Sequence, residues 1–208
     1  MALIPAKTPG FVKTLFPNFI WNIDTDNSEI YLTFDDGPTP KITRWVLEQL
    51  KHYNAKATFF CIGKNIENYP DIFRDILFDG HNVGNHTFNH LKGWKYKTKH
   101  YLTDVSQCQQ LMHSSTKLFR PPYGKFKSKQ AKKLQQLGYK IIMWDVLSFD
   151  WDSNVTQQQC LKNVTSSVKK GSIVVFHDSE KAFGNLKYVL PSVLEYYTNK
   201  GFEFKALY

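Results

Sequence analysis

What most constrains this chain is an alternation. Short strand-like runs at 29–34 (EIYLTF), 57–62 (ATFFCI), 81–84 (HNVG), 118–120 (LFR), 139–144 (YKIIMW), 172–176 (SIVVF) and 202–206 (FEFKA) are separated by longer amphipathic segments. Strands spaced by helical patterns read as βα units around a parallel sheet. Seven such units in 208 residues fit a (β/α) barrel smaller than the eight-stranded kind, with an open doubly wound sheet as the competing arrangement. One domain of this length buries a sizeable core. The spacing predicts helices over 40–52, 65–78, 99–115, 128–137, 155–170 and 185–200. Thr39-Pro40 serves as N-cap and first residue of the first of these, with Ile42, Val46, Leu47 and Leu50 as its apolar face, and glycine follows most of the others. The stretch 86–98 (HTFNHLKGWKYKT) has no period and reads as a loop or lid. Residues 1–28, broken by Pro5, Pro9 and Pro17, read as an N-terminal extension packed on a barrel spanning 29–208.

The formal net charge of +9 suggests a polyanionic partner or a solvated lysine face such as Lys95, Lys97 and Lys99. No basic nucleic-acid motif accompanies it, so no nucleic-acid partner is expected. Three widely spaced cysteines, Cys61, Cys108 and Cys160, show no CxxC and give neither a disulfide framework nor a thiolate metal site. No segment approaches the roughly 20 apolar residues of a membrane span, and no signal-peptide pattern is visible at the start. As written the chain reads as cytoplasmic and monomeric; a removed leader would instead make it secreted or envelope-bound.

In parallel α/β folds chemistry gathers at the carboxyl ends of strands. Asp35-Asp36-Gly37-Pro38 follow the first run, and His86 and His90 follow 81–84. Arg120 closes 118–120 and Pro121-Pro122-Tyr123-Gly124 follow it, Asp145, Asp150 and Trp151 follow 139–144, and His177-Asp178 follow 172–176. A turn explains Gly37 and Pro38 but not two adjacent carboxylates after a buried strand. His86-x-x-x-His90 is a recurrent metal-ligand spacing, and with Asp36 it makes a two-nitrogen, one-oxygen set that leaves a position for water, as catalytic zinc sites do. Arg120 can clamp a carboxylate, the proline-rich loop after it can expose backbone N–H groups, and His177 can act as an acid. His52, His81, His100 and His113 lack such a context. Trp94 and Tyr96, in the irregular stretch, are the aromatic candidates for ligand contact.

On these residues the sequence closely resembles the polysaccharide deacetylase family (the NodB-homology domain, carbohydrate esterase family 4). Its ordered motifs stand here as Thr33-Phe34-Asp35-Asp36-Gly37-Pro38, His86-Thr87-Phe88-Asn89-His90, Arg120-Pro121-Pro122-Tyr123-Gly124, Asp150-Trp151 and Phe176-His177-Asp178. The resemblance implies a distorted (β/α)7 barrel over 29–208 that removes N-acetyl groups from an amino-sugar polymer by metal-activated water. It implies one divalent metal, zinc by default with cobalt, nickel, manganese or iron as alternatives, on Asp36, His86 and His90. It further implies Asp35 as base, Arg120 as its orienting partner and His177 as acid. Tyr123 would be the oxyanion donor through its N–H, Asp150 the partner of His177, and Trp151, Pro122 and Tyr123 substrate contacts. Leu147 stands where an acidic residue is frequent, so either Asp145 or Asp150 could support the acid. Phe176 replaces a usual leucine and is expected to narrow the acetyl pocket. The rival readings are a related hydrolase of a small or cyclic amide and a glycan-binding relative without turnover.

Overall fold

The computed structural model describes residues 5–113 and 116–208. Its strands are β1 (Glu29–Asp35), β2 (Ala57–Cys61), β3 (Asn82–Asn85), β4 (Leu118–Phe119), β5 (Lys140–Ile141), β6 (Val146–Leu147), β7 (Ile173–His177) and β8 (Glu203–Phe204). The helices are α1 (Gly10–Leu15), α2 (Ile42–His52), α3 (Gly63–Asn68), α4 (Pro70–Phe78), α5 (Thr98–Met112), α6 (Ser128–Gln136), α7 (Gln157–Thr165) and α8 (Glu180–Thr198). The strands pair in parallel in the order β5-β4-β3-β2-β1-β7-β6, and β8 pairs with the start of β1.

Side-chain alternation along each strand decides between the two arrangements the sequence allows. Ile30, Leu32 and Phe34 of β1 and Val174 and Phe176 of β7 pack outward against Val46 and Leu50 of α2 and Leu186, Val189 and Leu190 of α8. The opposite face holds Tyr31, Phe60, Leu118, Ile142, Ile173 and Leu207, a cluster to which no helix contributes among the described residues. A doubly wound sheet would carry helices there as well. The sheet instead curls around this inner cluster as a distorted (β/α)7 barrel. Each fully buried Phe, Leu or Val in either layer contributes about 1.5–3 kcal/mol.

Phe176 belongs to the outer layer, fully buried with its ring 5.9 Å from that of Phe34. It does not narrow the acetyl pocket, because consecutive strand residues face opposite ways and His177 takes the inner side.

Several elements depart from the sequence reading for local reasons. The expected helix 65–78 is two helices, because Pro70 lacks an N–H and starts a new one after Tyr69 at φ −134°. The first long helix starts at Ile42 rather than Pro40, since Lys41 sits at φ 65°. The helix expected over 155–170 ends at Thr165, and Gly171 at φ 75° makes the turn into β7. The last helix begins at Glu180, five residues before 185, directly behind the His177-Asp178 pair. The helix expected over 99–115 runs from Thr98 to Met112, and residues 114–115 lie outside the described residues.

The run 139–144 is a strand only over Lys140–Ile141. After that its partner changes. Ile20 donates to the Ile141 carbonyl and accepts from the Met143 N–H, and the chain then crosses to β6 beside β7. The seam between the two edge strands is bridged by the N-terminal segment, through Ile20 and through Thr8 N–H to Asp145 O and Leu147 N–H to Ala6 O. The three cysteines are free and buried, and no helix among the described residues is long and apolar enough to cross a membrane.

Candidate active site

Asp35 ends β1 and His177 ends β7, and the two are register partners across that parallel pair. Alternation places both on the inner face, at the carboxyl end of the barrel. Asp36 follows at φ 81°, a turn of the backbone that brings a second carboxylate to the same rim. The loop it starts is held from three sides. Asn65 donates to Asp36 O at 2.7 Å, Ile62 N–H donates to Gly37 O, and the Asp178 carboxylate accepts from Gly37 N–H at 3.0 Å and from the Thr43 hydroxyl at 2.6 Å. A Cβ on Gly37 would sit 2.0 Å from Asp178 Oδ2, so the approach requires glycine. Burial, with the charge of Asp36 nearby, pushes the Asp178 carboxyl up to about 7 despite the Thr43 hydrogen bond.

His86 and His90 lie on an irregular turn after β3, with Thr87 at φ 64° and His90 at φ 53°. The first two N–H groups of α3, from Gly63 and Lys64, donate to the Thr87 and Phe88 carbonyls. From the other side Asp104 of α5, 3% exposed, accepts from Phe88 N–H (2.7 Å), Asn89 N–H (3.0 Å) and the Asn89 amide (2.6 Å). No sequence motif marks Asp104; only the packing of α5 against this turn reveals it.

Asp36, His86 and His90 each offer a ligand atom within 4.8 Å of the others. His86 Nδ1 lies 2.8 Å from the Arg120 carbonyl, which can only accept, so Nδ1 carries the proton. Burial, partly opposed by Asp35, depresses His86 to about 4 and keeps it neutral. Its Nε2 lone pair therefore faces Asp36 Oδ1 at 3.7 Å, and His90 Nε2 stands 3.2 Å from the same oxygen. That oxygen is buried and has no hydrogen-bond partner among the described residues. Burial alone would raise Asp36, but His90, His177 and His86 outweigh it and hold the carboxyl below the usual range. Converging lone pairs around an orphaned carboxylate oxygen suit a cation, with a backbone carbonyl fixing the tautomer of one imidazole behind it. The donor set fits a divalent metal.

The Arg120 guanidinium is fully buried over the Phe60 ring, 4.1 Å from its centroid. Its Nη1 donates to Asp35 Oδ1 and Thr33 Oγ1, both at 2.7 Å, while Nη2 and Nε donate to the Met143 and Ile142 carbonyls. One side chain thus orients Asp35 and satisfies the carbonyls that the seam turns inward. His177 Nδ1 lies 2.9 Å from Asp150 Oδ1, and its backbone N–H donates to Asp150 Oδ2 at 2.8 Å. Burial lowers His177, but the charge and hydrogen bond of Asp150 prevail and lift it to about 9. Asp145 does not reach His177. It is buried with Lys7 and Lys13, both at 2.5 Å, and the Ser172 hydroxyl at 2.6 Å, tying the N-terminal segment to the seam.

Around these groups lies a cleft of about 640 Å³. Trp151, its ring 4.7 Å from that of His177, forms one wall, and Tyr123, 4.7 Å from the His90 ring, forms another. Tyr123 sits at φ 61°, and its backbone N–H makes no hydrogen bond among the described residues. Pro121 lines the cleft, whereas Pro122, the proline expected to touch substrate, is buried and does not. Trp94 lines it too, but Tyr96 stacks on His100 at 5.2 Å instead. Leu147, Val175 and Trp144 add to the apolar lining.

Comparison with known proteins gives a consistent picture. Residues 22–142 match the family model described as polysaccharide deacetylase. Two relatives from Bacillus cereus, each named peptidoglycan-N-acetylglucosamine deacetylase, are 33% and 31% identical over 74% and 88% of this chain. The aligned parts span 57% and 88% of those relatives' own lengths. The crystal structure of a peptidoglycan N-acetylglucosamine deacetylase in complex with a 4-naphthalen-1-yl-N-oxidanyl-benzamide superposes with a TM-score of 0.84 at 28% identity, covering 96% of this chain and 95% of that one.

Proposed function

Because the chain belongs to the polysaccharide deacetylase family, we propose that it hydrolyses N-acetyl groups on an amino-sugar polymer in the cleft between Trp151 and Tyr123. The observation that carries this reading is the three-ligand cluster of Asp36, His86 and His90 beside the register pair Asp35 and His177.

In this reading Asp36, His86 and His90 hold one divalent cation, zinc by its donor set, with cobalt, nickel, manganese or iron as substitutes. When bound, such a cation supplies Lewis acidity that polarises an acetyl carbonyl and makes water nucleophilic near neutral pH. The chain's own groups do the rest. Asp35, held by Arg120, takes one proton from the attacking water as the new C–O bond forms. The free N–H of Tyr123 donates to the developing oxyanion. His177, kept cationic by Asp150, gives its proton to the amide nitrogen as the C–N bond breaks. The second water proton passes from the new carboxyl group to the freed amine, so that acetate and an ammonium sugar leave, and the proton on Asp35 returns to solvent while His177 is reprotonated. Arg120 thus positions the base, while Asp150 keeps the acid protonated.

The test is acetate release from an acetylated glycan by protein stripped of metal and then reloaded. Asp36→Ala is expected to lose both metal, read by elemental analysis, and turnover. Asp35→Asn is expected to keep its metal and lose about a hundredfold to ten-thousandfold in kcat. Full activity in Asp35→Asn would remove the base assignment.

A further inference from the structure

We propose that α6 and the N-terminal segment beside it form a docking face for an anionic lipid surface, on which outward lysines meet the headgroups and Phe11 and Leu15 enter the layer beneath. The inference is independent of the chemistry in the cleft.

The charge of this chain is unevenly spread. Residues 92–133 hold ten lysines and Arg120 against one carboxylate, Asp104, a net of +10, so the remaining residues sum to −1 of the chain's +9. Arg120 and Asp104 are both buried and engaged, which leaves only positive charge on the outside of this segment. Helix α6 carries its centre. The inner face of α6 is Gln130, Ala131 and Leu134, and at ~100° per residue Lys129, Lys132 and Lys133 stand opposite it, exposed. On one flank Gln130 Nε2 and Lys127 Nζ donate to the Gly93 and Tyr96 carbonyls at 2.9 and 2.7 Å, which lays the exposed Lys95, Lys97 and Lys99 alongside. On the other flank Gln135 Nε2 donates to Asn18 O at 3.1 Å, and the Phe126 ring lies 5.7 Å from that of Phe19. Lysine field and N-terminal segment are thus neighbours on one surface. None of Lys95, Lys97, Lys99, Lys129, Lys132 and Lys133 forms an ion pair among the described residues, in contrast to Lys7, Lys13 and Lys205.

The apolar edge of this surface separates a lipid layer from a soluble polyanion. In α1 Val12 packs inward, while Phe11 and Leu15, one turn apart on the same face, are each 68% exposed, and Phe16 after them is 46% exposed. A soluble chain of negative charges offers such side chains nothing, whereas the boundary between headgroups and acyl chains takes them out of water. Lysines beside an exposed apolar edge combine the two attractions that hold proteins at an anionic membrane surface. A second copy of this chain is a poor occupant, because its identical face would oppose like charges. Trp94, Gly124 and Lys125 line both the cleft and a pocket of about 280 Å³ bordered by Phe16, so docking would hold the cleft at the margin of the lipid surface.

The experiment follows co-flotation of the full chain with phosphatidylcholine vesicles, either plain or with about one-third phosphatidylglycerol, at low ionic strength. Partitioning into the anionic vesicles is expected to exceed that into the neutral ones by about a hundredfold, and to fall toward the neutral value at about 1 M salt, where the screening length is about 3 Å. Each lysine at the surface contributes about fivefold, so Lys129→Gln/Lys132→Gln/Lys133→Gln should lose about a hundredfold. Phe11→Ser/Leu15→Ser should lose about tenfold or more at unchanged charge. All five substituted side chains are exposed, so the melting temperature should stay put in both variants. The three native cysteines are buried, so Phe11→Cys accepts a single polarity-sensitive label, whose emission should shift to the blue on anionic vesicles. Equal partitioning into the two kinds of vesicle, or unchanged partitioning in either multiple variant, overturns the proposal. If the label stays in water on anionic vesicles while inorganic polyphosphate binds the chain, the face belongs to a soluble polyanion and the lipid reading fails.

Discussion

Replacing Asp150 by Asn tests the acid side of the site most sharply. Asp150 accepts both the ring Nδ1–H and the backbone N–H of His177. It lifts an imidazole that burial alone would push down, from an ordinary 6.5 to about 9. That difference is a factor of about three hundred in proton affinity. Without the charge, burial is opposed only by the smaller pulls of Asp36 and Asp35, and His177 should fall back toward its ordinary 6.5. A full return to 6.5 would drop the cationic fraction at pH 8 from about nine-tenths to about three-hundredths. Turnover at pH 8 should then fall by up to about thirtyfold, with a far smaller loss at pH 6. A cation at Asp36 lowers both values together, so the separation between the two proteins is the quantity to read. The assay is the pH profile of kcat/KM, with the imidazole titration followed directly by nitrogen-15 NMR. The sign for stability follows the same shift. The pair's contribution is complete below 6.5 and is lost as pH rises through about 9. Asp145→Asn is the control: it should lower the melting temperature by loosening Lys7, Lys13 and Ser172 from the seam while the alkaline limb stays put. An alkaline limb that is the same in Asp150→Asn and in the unaltered protein would refute the reasoning.

Two further outcomes are expected. Arg120→Met leaves Asp35 and two inward carbonyls without donors in a fully buried setting, and should destabilise the fold by about 3–5 kcal/mol in urea unfolding. Asp104→Ala removes the acceptor of three donors behind the His86–His90 turn, and should weaken metal affinity by about tenfold to a hundredfold in calorimetric titration with the fold retained. Unchanged affinity in that variant would show that α3 alone sets the turn.

What the sequence determined by itself was whatever depends on local periodicity. Alternating apolar runs and helical segments specify βα units around a parallel sheet, barrel or open, and the strand ends then mark where Asp35, Asp36, His86, His90, Arg120 and His177 must gather. The outward direction of Phe176 was equally implicit, since it neighbours His177 on one strand. Pro70 likewise announced the break between α3 and α4. Tertiary structure alone decided which distant groups meet. Asp145 and Asp150 follow the same run and look equivalent in sequence, yet one is claimed by two N-terminal lysines and the other by His177. The early end of β5 has the same origin, because Ile20, more than a hundred residues away, takes over the pairing there. Asp104 carries no motif either. Strand and helix patterns record which face a side chain presents to its own element, whereas hydrogen bonds and charge pairs depend on approach in space, which only the closed barrel supplies.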